Sequence, residues 1–170
     1  MEHVDFLVLG GGTAGLSAAR RIRAAGQRVV LADPTPIGGL CSQRGCDPKK
    51  NLVRATELLG ETLQGRDFGL QTQTPRVALG QVVARKRRFT EPVPEHTAQN
   101  LAEAGIEYIA DTPRFIDPSH AQVGDRQFEF QGALVASGSK PRPLSIPGAQ
   151  HLSITDEALE WVQVPDRLVI

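Results

Sequence analysis

Six residues, Gly10-Gly11-Gly12-Thr13-Ala14-Gly15, follow the apolar run Val4 to Leu9 and precede Leu16 to Ala25, where apolar residues recur at helical spacing until Gly26. Strand, glycine turn and helix in that order give the spacing G-x-G-x-x-G its chemical meaning. Gly10 permits the tight turn, Gly12 lets the backbone approach a diphosphate, and Gly15 lets helix and strand pack closely. The phosphates would sit on the N–H groups that open the helix. Arg28 to Ala32 is the next apolar run, ending at Asp33 before Pro34 and Pro36. Two such strands around a helix make a parallel unit with a crossover that is nearly always right-handed, so the first 33 residues predict a doubly wound sheet. Asp33, ending the second strand, is placed to accept a hydrogen bond from a ribose hydroxyl. The alternative is a glycine-rich turn that merely caps a helix.

Composition narrows the partners. The chain has 170 residues, 40% of them hydrophobic, enough to bury a core as one compact domain. With 19 basic groups against 19 acidic ones, it lacks the long-range attraction to phosphate on which nucleic-acid binders rely. No segment reaches the roughly 20 consecutive apolar residues needed to span a bilayer. The opening Met1 to Asp5 lacks the basic stretch of a secretory leader. The expectations are therefore no nucleic acid, no membrane and a cytoplasmic setting.

Further along, Asp47 reads as a cap with Pro48 at the first helical position, opening a helix to about Leu63. Gln64 to Thr74 reads as a connection and Val77 to Phe89 as a helix. Its run Arg85 to Arg88 reads as a solvated face. Pro92 and Pro94 break that helix, and Glu95 to Ala104 forms another. Short strand-like runs follow at Glu107 to Ala110, Arg114 to Ile116, Ala121 to Val123 and Gln127 to Phe130, which predicts an antiparallel meander. Gly132 to Ala136 is a separate buried strand, and Pro165 to Ile170 begins another.

Cys41 and Cys46 are the only cysteines. Five residues apart on a regular helix, their Cα atoms would be separated by roughly 8.7 Å, beyond the roughly 7 Å that a disulfide bridges. A redox pair therefore needs a departure from the helix, which Gly45 and Pro48 can supply. Two unpaired buried thiols, or half of a zinc site, remain the alternatives. His3, His96, His120 and His151 have no ligand-like spacing to the pair, so no metal is expected.

The segment Gly38-Gly39-Leu40-Cys41-Ser42-Gln43-Arg44-Gly45-Cys46-Asp47-Pro48-Lys49 resembles the redox-active disulfide signature of the class I pyridine nucleotide-disulfide oxidoreductases, the family of glutathione reductase, dihydrolipoamide dehydrogenase and mercuric reductase. Gly10 to Gly15 with Asp33 is similar to that family's FAD fingerprint. Ala136-Ser137-Gly138-Ser139-Lys140-Pro141 is similar to its second flavin motif, and Ile146-Pro147-Gly148 and Thr155 to Leu159 follow its order. The similarity runs over essentially the whole chain. Leu40, Asp47 and Ser137 depart from the usual residues.

The resemblance implies an α/β fold, a Rossmann-like FAD-binding domain over residues 1–170 with a parallel sheet, helices and a β-meander. It implies FAD as cofactor, held by Gly10, Gly12, Thr13, Ala14, Gly15, Asp33, Gly39, Leu40, Lys49, Ala136, Ser137 and Gly138, with NAD(P)H as co-substrate. In the family, electrons pass from NAD(P)H through FAD to the disulfide and on to a disulfide substrate. By position, Cys41 would attack that substrate and Cys46 would face the flavin. Cys46 beside a helix N-terminus and three residues before Lys49 is a setting that favours a thiolate. Lys49-Lys50 leans towards the glutathione reductase pattern.

Family members are homodimers with nicotinamide-binding and dimerisation domains, whose marks are absent here. The expectation is thus a flavin and disulfide part with negligible turnover alone. A stand-alone flavin-binding or thiol-redox module served by a partner chain is the second reading.

Overall fold

The computed structural model describes residues 1–170. In chain order the elements are β1 (Glu2–Leu9), α1 (Thr13–Ala24), β2 (Val29–Ala32), α2 (Gly39–Arg44), α3 (Cys46–Gln64), α4 (Leu79–Thr90), α5 (Val93–Glu103), β3 (Glu107–Ile109), β4 (Pro113–Asp117), β5 (His120–Val123), β6 (Arg126–Val135) and α6 (Thr155–Ala158). They fall into two compact units, Met1–Cys41 with Pro92–Lys140, and Ser42–Glu91 with Pro141–Ile170.

The first unit is the α/β layer that the sequence predicts. Its six strands form one sheet in the order β3-β2-β1-β6-β5-β4. The pairs β3-β2, β2-β1 and β1-β6 are parallel, and β6-β5 and β5-β4 antiparallel. Every residue of β2 is buried, as a parallel strand covered on both faces requires. Val8, Val29 and Leu31 pack with Ala19 of α1 and Leu101 of α5. Leu7, Leu9, Val30 and Ala32 pack with Ala121, Val123, Phe128 and Phe130 of the meander. Each fully buried Val, Leu or Phe contributes about 1.5–3 kcal/mol, so these two clusters hold the unit together.

The meander is tied to the sheet electrostatically as well. Arg126, first residue of β6, grips Glu2 of β1 with two hydrogen bonds of 2.7 Å and also pairs with Glu107, the first residue of β3. Its guanidinium lies 4.9 Å from the Phe128 ring centre. The hydrogen bonds from Arg126 hold the Glu2 carboxyl below the usual range.

At the β4–β5 turn the Ser119 N–H and the His120 ring meet the Asp117 carboxylate, each at 2.8 Å. They lower its pKa to about 2 from 3.8. A depressed carboxyl stabilises the fold above its ordinary pKa and loses that contribution as pH falls through the folded value. The turn should therefore hold at pH 4 and loosen towards pH 2, with an Asp117 Cγ NMR titration midpoint near 2; a midpoint near 4 would contradict this.

Several expectations are corrected. Gly132 does not separate two strands: β6 runs unbroken from Arg126 to Val135, and the glycine leaves room for the Phe6 ring, which a Cβ would meet at 2.8 Å. Residues 165–170 form no strand, for they pair with no neighbour, and Val169 and Ile170 are exposed. Pro94 does not stop a helix but lies in the first turn of α5, where its missing N–H costs nothing.

The second unit is helical. α3 starts at Cys46 with Gly45, not Asp47, at the cap position, so Pro48 is its third residue rather than its first. The first helical hydrogen bond runs from the Lys49 N–H to the Gly45 carbonyl, 3.0 Å, which leaves Pro48 among the positions whose N–H would have had no partner. α3 is joined to α4 by the Asn51 amide, which donates to the Val82 carbonyl at 3.0 Å. The run Arg85 to Arg88 is not wholly a solvated face. Lys86 is 1% exposed and pairs with Glu160, while its three arginine neighbours are exposed.

Candidate functional site

The site of the first unit is built where parallel strands end. β1, β2 and β6 finish level with one another, Leu9 beside Ala32 and Val135, and in open α/β sheets ligands bind outside these carboxyl ends. The glycine loop leaves β1 there. Gly10 has a φ of 112°, and a Cβ on it would lie 2.3 Å from the Ala136 carbonyl oxygen. The second glycine motif, Ala136-Ser137-Gly138, is thus pressed against the first, and the Ala136 N–H donates to the Leu9 carbonyl at 2.7 Å. Gly15 meets the Gly10 carbonyl so closely that its Cβ would stand 1.8 Å from the oxygen. Helix and strand approach at backbone contact, as the spacing implies.

Gly12 differs from its neighbours. It caps α1 in ordinary extended geometry, φ −86° and ψ −172°, which any residue adopts. A Cβ there would touch only Gly39 Cα, at a comfortable 3.7 Å. Nothing in the protein requires glycine at this position. α1 begins with no side-chain cap and no acidic residue in its first turn, so N–H groups of Thr13, Ala14 and Gly15 are left for an external acceptor. A bare Gly12 keeps the approach to them clear.

Asp33 is 8% exposed, and its carboxylate organises this loop. The Gly11 N–H donates to Oδ2 at 2.6 Å, while the Thr35 N–H and hydroxyl donate to Oδ1 at 2.8 and 2.7 Å. The sequence assigns Asp33 to a ribose; the structure adds that it holds the glycine loop to the turn after β2. Three residues were missed. Thr35 follows the Asp-x-Thr pattern of a side-chain turn, a signal present in the sequence. Ile37 lies beneath Gly11, whose Cβ would stand 2.5 Å from its Cγ1. The Tyr108 hydroxyl donates to the Asp33 carbonyl at 3.3 Å, and burial, with the Asp33 charge, pushes its pKa up.

Gly39 joins this cluster, since a Cβ on it would lie 2.5 Å from Gly12 Cα and its φ is 74°. The Gly38 N–H donates to the Gly11 carbonyl at 2.9 Å. Leu40 is half exposed. The structure therefore brings together Gly10, Gly12, Thr13, Ala14, Gly15, Asp33, Gly39, Leu40, Ala136, Ser137 and Gly138 within one unit.

Cys41 is the last residue of that unit, and Cys46 and Lys49 belong to the other. Both cysteines are half-buried. Cys41 lies within α2, a short helix that the sequence reading did not foresee, and Cys46 is the first residue of α3. Between them Gly45 adopts φ −133° and ψ −104°, so the chain leaves helical geometry at the glycine expected to permit it. Lys49 and Lys50 are exposed on the first turns of α3. No group of three or more His, Cys, Asp or Glu side chains could hold a metal ion, and no helix is long and apolar enough to cross a membrane.

Residues 4–170 match the family model described as pyridine nucleotide-disulphide oxidoreductase. The chain belongs to that family. Among relatives of this oxidoreductase family it is 30% identical to dihydrolipoyl dehydrogenase 3 of Haloarcula marismortui, over 98% of this chain and 36% of that protein. It is 31% identical to a mercuric reductase of Staphylococcus aureus, over 98% of this chain and 31% of the relative. To the glutathione reductase of Yarrowia lipolytica it is 26% identical, over 100% of this chain and 39% of the relative. The chain thus spans about a third of the length of these curated oxidoreductases.

Proposed function

We propose that residues 1–170 are the FAD-binding and redox-disulfide part of an NAD(P)H-dependent disulfide oxidoreductase. The observation that carries this reading is Gly12, a glycine that no contact within the protein explains, at the mouth of a helix whose first N–H groups await an acceptor. Residues and cofactor fit. The N–H groups that open α1 would hold the diphosphate, Asp33 would add a ribose hydroxyl to its existing partners, and Gly39, Leu40 and Ala136 to Gly138 would border the flavin; Lys49 is carried over as a flavin contact from the family resemblance alone. Bound FAD would supply two-electron transfer between a nicotinamide and the cysteine pair.

The thiol chemistry belongs to the chain itself. Cys41 attacks one sulfur of a substrate disulfide and releases the first substrate thiol. Cys46 then attacks the mixed disulfide, releases the second thiol and closes the Cys41–Cys46 disulfide. Two electrons leave with the two substrate thiols. The reading leans towards a glutathione-like substrate on the Lys49-Lys50 pair, and takes the family's homodimer and a cytoplasmic setting as its context.

An absorption spectrum after incubation with FAD and gel filtration tests this. A retained flavin chromophore, together with two thiols gained on reduction of the oxidised protein, is the expected result. Turnover of NAD(P)H by these residues alone should be negligible. Colourless protein that retains no FAD would overturn the flavin assignment.

A further inference from the structure

We propose that Asp156 and Glu160 are positioning residues that fix the turn between Cys41 and Cys46. The inference rests on the redox reading of that pair and adds a control element to it.

Gly45 is the joint of that turn, for it alone between α2 and α3 leaves helical geometry, and a glycine joint is free to swing unless its flanks are held. Both flanks are held within the second unit. On the far side, α3 begins at Cys46 and is tied to α4 by the Asn51–Val82 hydrogen bond. On the near side Arg44, the residue before Gly45, places Nη1 3.6 Å from Asp156 Oδ2. Asp156 lies in α6, and a few residues on the same segment is anchored to α4. There Lys86 Nζ donates to the Leu159 carbonyl at 3.2 Å and pairs with Glu160, and Arg87 donates to Glu160 Oε2 from Nε at 3.1 Å and Nη2 at 2.9 Å.

The ties form a closed circuit: Arg44 to Asp156, from α6 on to Glu160 just beyond its end, across to Lys86 and Arg87, through α4 to Asn51, and back along α3 to Cys46. Its strongest link is Lys86, since an ammonium 1% exposed is tolerated only when paired. Desolvation opposes ionisation of Glu160, but the hydrogen bonds from Lys86 and Arg87 prevail and hold its carboxyl below the usual range. The Arg44–Asp156 pair is more exposed and contributes little stability by itself. Its consequence is geometric, because it is the link that joins the strap to the joint.

The quantity this controls is how readily the cysteines close on each other. In glutathione buffer the Cys41–Cys46 disulfide and two glutathione thiols exchange with two cysteine thiols and one glutathione disulfide, a two-electron balance. Its position reports the effective concentration of one thiol at the other.

Asp156→Asn and Glu160→Gln are equilibrated in glutathione buffers and the thiols counted by alkylation and mass spectrometry. Both variants should form the disulfide less readily, by about three- to tenfold, where tenfold equals about 30 mV for this couple. Asp156→Glu keeps the charge and should stay within twofold of the parent protein. Emission from Trp161, the single tryptophan and the neighbour of Glu160, should shift in Glu160→Gln. Arg126→Ala, in the other unit, should lower stability and leave the exchange constant unchanged. Asp156→Asn removes no partner of a buried group, so it reads out even where Glu160→Gln fails to fold. Constants within twofold of the parent for Asp156→Asn, or an equal shift in Arg126→Ala, would overturn the inference while leaving the redox reading intact. A parent protein that forms no Cys41–Cys46 disulfide in any buffer would overturn both.

Discussion

Gly15→Ala should destabilise the first unit by about 3 kcal/mol, the upper end of what overpacking costs, and abolish FAD retention. The added methyl would stand 1.8 Å from the Gly10 carbonyl oxygen. That atom is backbone, held in a loop already wedged against Ala136, so no side chain can swing aside. Either α1 shifts away from β1, losing the packing of Ala19 on Val8 and Leu31, or the Gly10 peptide turns and the loop loses its form. Urea denaturation followed by far-UV circular dichroism reads the stability, and a midpoint within experimental scatter of the parent protein would refute the expectation.

The second large effect is expected at Asp33. Its two carboxylate oxygens accept three hydrogen bonds, one from Gly11 and two from Thr35, at a position 8% exposed. Asp33→Asn keeps the shape but replaces one acceptor oxygen by an NH2 donor. Whichever way the amide is turned, that donor faces an N–H, and a buried group left unsatisfied costs about 2 kcal/mol. The loop tilts, and flavin affinity should fall by about tenfold, a change of about 1.4 kcal/mol. Calorimetric titration with FAD measures it; unchanged affinity would mean that Asp33 neither shapes the loop nor meets the ligand.

The parts of this fold that the sequence revealed are those where a local pattern has one physical solution. A buried strand, three glycines and a helix can close on one another in few ways, and Gly10 and Gly15 sit where that pattern requires. Ala136 to Gly138 came to lie against Gly10 because β6 runs parallel to β1 and ends at the same level. A redox pair at the Cys41–Cys46 spacing needs a break in the helix, and the chain breaks at Gly45.

What stayed hidden depends on distant partners. A lysine in the run Arg85 to Arg88 looks solvated until Glu160, 74 residues away in sequence, turns out to cover it. Gly132 looks like the start of a new strand until the Phe6 ring is seen above it. Residues 165–170 have the composition of a strand, but composition does not supply a neighbour to pair with. Thr35 was legible as a side-chain turn and was passed over; Ile37 was not, for its role comes only from contact with Gly11.

On the proposed function, Gly12 is glycine for the sake of a ligand. Gly12→Ala places a methyl where the protein leaves space, 3.7 Å from the nearest atom outside its chain neighbours, in backbone geometry that alanine adopts. Equilibrium titration of parent and variant with FAD, alongside their urea midpoints, should give stabilities within about 0.5 kcal/mol and an affinity weakened by about tenfold or more. Equal affinity for FAD in the two proteins would contradict the claim that this loop cradles the dinucleotide.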